Sequence, residues 1–257
     1  MEARRRRRIV WNAAVFFGRI RSVNKTARKT IAYCAPFAVW TVLMTFLPKT
    51  AGAYALRAAA TAVAGIASMA WLRQMHAEPD ACDRGAKEKS SWTLADVVIG
   101  IAAGLFVFAF WVAPAGSQWY QTWLVMPIGR IAETTTPSPY DPSACGWWLT
   151  WAKILGSAFV IAPAEELFFR SFLYRWVQMA RDGWTTAPLS RFNANAFAWT
   201  VALFACEHAE FAVAAACGVV YGLLAIRRSL KCAICAHATT NFVLGLYVVY
   251  FGHWNFW

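Results

Sequence analysis

Ala164-Glu165-Glu166-Leu167-Phe168-Phe169-Arg170 sets two carboxylates and a guanidinium inside an apolar run that extends from 147 to 175. In hydrocarbon an unpaired charge costs on the order of several kcal/mol, and such residues turn toward a bundle interior or a wet cavity and pair with one another. The segment therefore reads as a membrane helix with a polar task, and it decides the fold, because the rest of the chain has to supply the helices that shield it. Glu166 and Arg170 are four apart on that helix and share a face, so they can pair. Glu165 points about 100° away and is left without that partner.

The surrounding composition agrees. The chain has 257 residues, 59% apolar and 16% aromatic with only 15% charged, too apolar for a soluble domain of this length. Apolar runs at 31–48, 51–72, 94–113, 147–175, 194–211, 212–226 and 232–251 predict an all-α polytopic bundle of seven to eight spans, against the ~20 residues a spanning helix needs. The fifth and sixth runs abut without a polar loop, so one of them should be short, tilted or re-entrant.

The formal charge of +12 raises nucleic acid as a partner, and the placement of the bases argues against it. Arg4 to Arg8, Arg19, Arg21, Lys25, Arg28 and Lys29 precede the first run. Further bases follow in the loops: Arg73, Arg84, Lys87 and Lys89; then Arg175, Arg181 and Arg191; then Arg227, Arg228 and Lys231. All four groups fall on one side of an alternating topology, which predicts a cytoplasmic N-terminus and an integral protein of the cell membrane, the bacterial inner membrane if the source is bacterial. The stretch from Pro114 to Gly146 holds one base, Arg130, and several prolines, and reads as an irregular loop on the far side.

Three segments follow: a basic arm over 1–30, helices and loops over 31–146, and a chemistry-bearing region over 147–257. The arm has the charge of a signal peptide's start without a short apolar core and cleavage site behind it, so it is expected to be retained. Trp11, Phe16, Phe17 and Ile20 alternate with its bases as in a helix lying on a lipid surface. Seven cysteines, Cys34, Cys82, Cys145, Cys206, Cys217, Cys232 and Cys235, are scattered through apolar segments and imply no disulfide framework. The spacing of Cys232, Cys235 and His237 is a weak metal signal without a second pair, and packing accounts for it.

Two further polar pairs lie in apolar surroundings: Phe204 with His208, and His237 with Asn241, each four residues apart. Taken singly each has a plain structural role. A Glu/Arg pair can staple helices, a histidine near a span's end can be a packing residue, and His237 with Asn241 can clasp a neighbouring helix for ~0.6 kcal/mol per bond. Together they make a set able to activate water against an amide. Glu165 and His208 polarise the water, while His237 and Asn241 donate to the developing oxyanion. Depth is uneven: counted from the nearest bases, Glu165 and His237 lie ~15 and ~9 Å in and His208 ~25 Å, so the site needs a late helix start or a deep wet cleft. Two histidines and a glutamate could also hold zinc, but HExxH is absent and Asn241 has no place in such a shell, which favours a metal-free site with no cofactor. Glu207 and Glu210 read as polar residues that end their helix or support the catalytic groups from behind.

EELFFR, FACEH and HATTN, in this order on successive apolar segments, resemble the three motifs of the CAAX protease and bacteriocin-processing family of intramembrane endopeptidases. That family includes type II CAAX prenyl endopeptidases and lysostaphin-resistance-type proteins. Its pattern, Glu-Glu-x-x-x-Arg, Phe-x-x-x-His and His-x-x-x-Asn, is filled at every position here. The resemblance runs from about Trp147 to the C-terminus and implies a bundle of about eight helices and a glutamic-type proteolytic mechanism. Glu165, His208, His237 and Asn241 would be catalytic, with Glu166, Arg170 and Phe204 in support. The closing stretch from Leu244 to Trp257 is similar to the branch associated with exosortase-type protein sorting. The implied partner is a peptide or protein substrate in or at the lipid bilayer, with oligomeric state open. The competing expectation is a non-catalytic scaffold or immunity factor of the same fold, and intact motif positions weigh against it.

Overall fold

A computed structural model describes residues 25–77, 92–114, 117–120, 122–123, 138–179 and 183–257. The proposed amphipathic arm before Lys25 and the 78–91 loop with Cys82 lie outside the described residues. So do Arg181 and most of the loop after Pro114. The described residues are helical without strands. Among them seven helical rods succeed one another: α1 Lys25–Phe46, α2 Ala51–Ala77, α3 Leu94–Val112, α4 over 147–178, α5 Ala194–Cys206, α6 Phe211–Arg227 and α7 Leu230–Phe251. α1, α2, α3 and α7 are long and apolar enough to cross a membrane. The chain is an integral membrane protein.

Starts and stops follow local chemistry. Thr93, Asn193 and Ser229 cap α3, α5 and α7 by accepting from backbone N–H groups of Asp96, Ala196 and Cys232. Gly252, at φ 69°, takes the left-handed turn that ends α7. α1 is described from Lys25, and Trp184 fastens it near that end, its Nε1 donating to Thr30 Oγ1 at 3.0 Å and its ring packing edge-on against Tyr33. The described part of the 114–146 loop includes two short helices, Gln118–Tyr120 and Pro142–Cys145.

α4 is not uniform. Ser157–Ile161 and Leu167–Leu173 are π-helical and flank the α-helical turn Ala162–Glu166. Pro163 lacks an N–H and crowds the carbonyl one turn back, and widening the helix before it relieves the clash. Such turns cluster at functional sites, and this pair brackets the two glutamates.

α7 packs most extensively against α3, and the reason is glycine. A Cβ on Gly100 would sit 2.7 Å from Cys235 Cβ, and one on Gly104 only 2.5 Å from the Ala236 carbonyl. Gly-x-x-x-Gly lets the two backbones meet where a larger residue would hold them apart. Thr240 Oγ1 then reaches the Gly104 carbonyl at 2.9 Å.

Bases gather at one end. Arg175 lies over the rings of Tyr33 and Trp184, and Arg228 pairs with Asp96 at 3.6 Å. Tyr174, Ala196 and Ile226 form a small core joining these groups. At the opposite end Trp40, Tyr54, Tyr140 and Trp257 pack around Arg57 and Lys153. The main core, including Phe37, Phe169, Phe204, Val213 and Tyr221, lies between.

The abutting fifth and sixth runs prove to be two short helices. At thirteen residues, α5 is ~20 Å long, too short for a ~30 Å hydrocarbon core. Residues 207–210 turn back without helical structure. α5 starts only at Ala194, the late helix start that the depth of His208 called for.

Candidate active site

Glu166 and Arg170 pair as the spacing predicts, Oε1 to Nη1 at 3.0 Å, with only 0% and 2% of the side chains exposed. Arg170 is also braced by aromatic rings, its guanidinium 4.2 Å from the Phe204 centroid and 5.7 Å from that of Tyr221. Its Nη2 donates to the Gly218 carbonyl at 3.4 Å. Glu166 carries a second contact that spacing does not announce: Oε1 lies 2.9 Å from Nδ1 of His237, on α7. A carboxylate held by arginine is an acceptor, so Nδ1 carries the proton. Tyr221 stacks on the His237 ring at 4.6 Å and 17°, and its hydroxyl donates to Thr240 Oγ1 at 2.8 Å. The imidazole is thereby fixed in plane and tautomer.

Glu165 is not left to itself. Its Oε2 faces His237 Nε2 at 3.6 Å, so the two consecutive glutamates, about a hundred degrees apart on α4, address the two nitrogens of one ring. That oxygen is buried and accepts no hydrogen bond from any described residue.

His208 sits just past the end of α5, where Nδ1 lies 2.9 Å from the Phe204 carbonyl. A carbonyl only accepts, so Nδ1 is again the protonated nitrogen and Nε2 the acceptor. Phe204 stands between the two histidines, 4.6 Å from the His208 ring and 5.8 Å from that of His237. Trp111 closes the other side of His208. Asn241, one turn beyond His237, donates from Nδ2 to the Ser157 carbonyl at 3.2 Å, in the first π-helical turn of α4.

Glu165, His208, His237 and Asn241 all line one cavity of about 310 Å³, which reaches from Trp111 to Lys153 and Trp257. The structure sets Glu165 beside His237, and His208, with which the sequence reading paired it, lines the same cavity. Reading the sequence missed several lining residues, among them the polar side chains of Tyr54, Lys153, Ser157, Tyr221 and Thr240, and Glu207 joins the wall with them. Glu210 turns aside and accepts from Tyr120 Oη at 2.7 Å. Among the described residues, no three of His, Cys, Asp and Glu are grouped as ligands of a metal ion would be.

A helical membrane protein with paired carboxylates and imidazoles around an internal cavity has the makings of an intramembrane hydrolase. Residues 147–243 match the family model described as type II CAAX prenyl endopeptidase Rce1-like, the kind of protein whose three motifs the chain resembles. The matched span covers α4, α5, α6 and the part of α7 holding His237 and Asn241. No curated protein and no solved structure matches the chain.

Proposed function

We propose that the chain is an intramembrane endopeptidase of glutamic type that cuts a membrane-associated or sorted peptide. The observation that carries this reading is the cavity: four polar groups from α4, α7 and the connection after α5 line one hollow in the region that matches the Rce1-like family model. Glu165, with an acceptor oxygen on the cavity wall, takes a proton from water, and His208 orients that water through Nε2. The water oxygen bonds to the peptide carbonyl carbon. The negative charge formed on the carbonyl oxygen is met by Asn241 Nδ2 and by His237 Nε2, which takes the water's proton on from Glu165 Oε2, 3.6 Å away, while Nδ1 stays anchored on Glu166. The C–N bond then breaks, and that proton returns through Glu165 to the departing amine.

The reading is metal-free. Among the described residues no three of His, Cys, Asp and Glu are grouped as a metal's ligands would be, and Asn241 donates to a backbone carbonyl. The basic end is assigned to the cytoplasm and the membrane to the bacterial inner membrane. The test is Glu165→Gln in the cell. Gln keeps the shape and cannot accept the water's proton, so an uncut membrane precursor should accumulate while the variant remains at normal level in the membrane. An identical membrane proteome with and without the substitution would refute the proposal.

A further inference from the structure

Lys153 lies on α4 one turn before Ser157 and lines the same cavity as Glu165. Its Nζ is 4.3 Å from the Tyr54 ring centroid, 4.9 Å from Tyr140 and 5.6 Å from Trp257. Three aromatic faces hold a cation by their quadrupoles without neutralising it. No carboxylate among the described residues pairs with this ammonium. A second cation adjoins it: Arg57, 4% exposed, sits over Trp40 and Tyr54 and donates to the Leu47 and Pro48 carbonyls at 3.4 and 3.2 Å. Arg57 commits Nη1 to backbone, whereas the ammonium of Lys153 is set among ring faces on the cavity wall. Two positive charges share Tyr54 in an apolar bundle, where a counter-ion is worth more than in water.

We propose that Lys153 is an anion subsite of the cavity that receives a carboxylate of the bound peptide, either its chain terminus or an acidic side chain. This rests on the endopeptidase reading for the identity of the ligand. The subsite lies at a defined remove from the reacting bond. Asn241 is hydrogen-bonded to Ser157, and Lys153 is one turn further along α4, ~5–6 Å, or about two extended residues. A peptide whose scissile carbonyl lies at Asn241 therefore presents a carboxylate to Lys153 only if that group falls within about two or three residues of the cut. The aromatic cage makes the subsite select charge and position, while the apolar walls accept the rest.

The test is equilibrium binding to the full chain in nanodiscs carrying Glu165→Gln, which leaves peptides uncut. Three fluorophore-labelled hexapeptides of Ala, Val and Leu are compared: the free acid, its C-terminal amide, and the amide with one Glu near the end. At least one carboxylate form should bind about tenfold or more tightly than the neutral amide, the worth of a charge-assisted hydrogen bond. Preference for the free acid identifies the terminus, and preference for the Glu peptide identifies the side chain. Lys153→Met should bring all three within about twofold and Lys153→Arg should keep the order. Equal affinities, no binding by any peptide, or a preference surviving Lys153→Met would overturn the subsite. Should Lys153→Met fail to accumulate, the three-peptide comparison on the Glu165→Gln chain decides alone. Cleavage by the wild-type chain is scored separately, so a charge preference without cleavage condemns the protease reading and spares the subsite.

Discussion

Arg170→Met isolates the burial of the Glu166 charge. Methionine fills much of the space between Phe204 and Tyr221 and removes the cation, so Glu166 stays fully buried with His237 as the partner that remains. Removing one member of a buried pair costs about 3–5 kcal/mol, because the other is left uncompensated. For a chain of this length that corresponds to a loss of roughly 6–20 °C in Tm. Fluorescence-detected size-exclusion chromatography after stepwise heating of the detergent-solubilised protein measures it. The double variant Glu166→Gln/Arg170→Met should recover much of the loss, since the glutamine side chain still accepts from His237 Nδ1 and no orphan charge remains. A single variant within about 2 °C of wild type, or a double variant worse than the single one, would refute the reasoning.

Gly104→Val should force α3 off α7, because the new Cβ would lie 2.5 Å from the Ala236 carbonyl, backbone that cannot yield. Overpacking costs about 1–3 kcal/mol or more, and membrane accumulation should fall. Gly65→Ala, where nothing stands within 4 Å of the added Cβ, should be neutral or stabilising by about 0.5–1 kcal/mol, and equal behaviour of the two would contradict the packing account. Cleavage by the purified chain should survive exhaustive chelation, and activity regained only with added zinc would end the metal-free mechanism.

The helical membrane fold is legible because apolar length and base placement are local properties. The three motif pairs are legible for the same reason: Glu166 with Arg170, Phe204 with His208 and His237 with Asn241 each lie one turn apart. What reading a chain misses is contact across helices. Glu166 and His237 are 71 residues apart, and nothing in either neighbourhood says that one glutamate will orient the ring and its neighbour face the cavity. Tyr221 looks like any apolar residue of α6 until its ring is seen flat against His237. Lys153 has the appearance of a stray cation among tryptophans, because Tyr54, Tyr140 and Trp257 come from three distant segments. Pro163 is the exception, a local signal for the widened helix around the glutamates, readable as a break in α4 but not as its direction.

The brevity of α5 carries a further consequence. A catalyst embedded in oil has to import its own second reactant, and amide and carbonyl groups left over where a helix stops short cannot tolerate acyl chains beside them. Residues 207–210 form such a break, with Glu207 and Ala209 exposed and with Glu207 and His208 on the cavity wall, so the same truncated rod that delivers an imidazole also demands hydration.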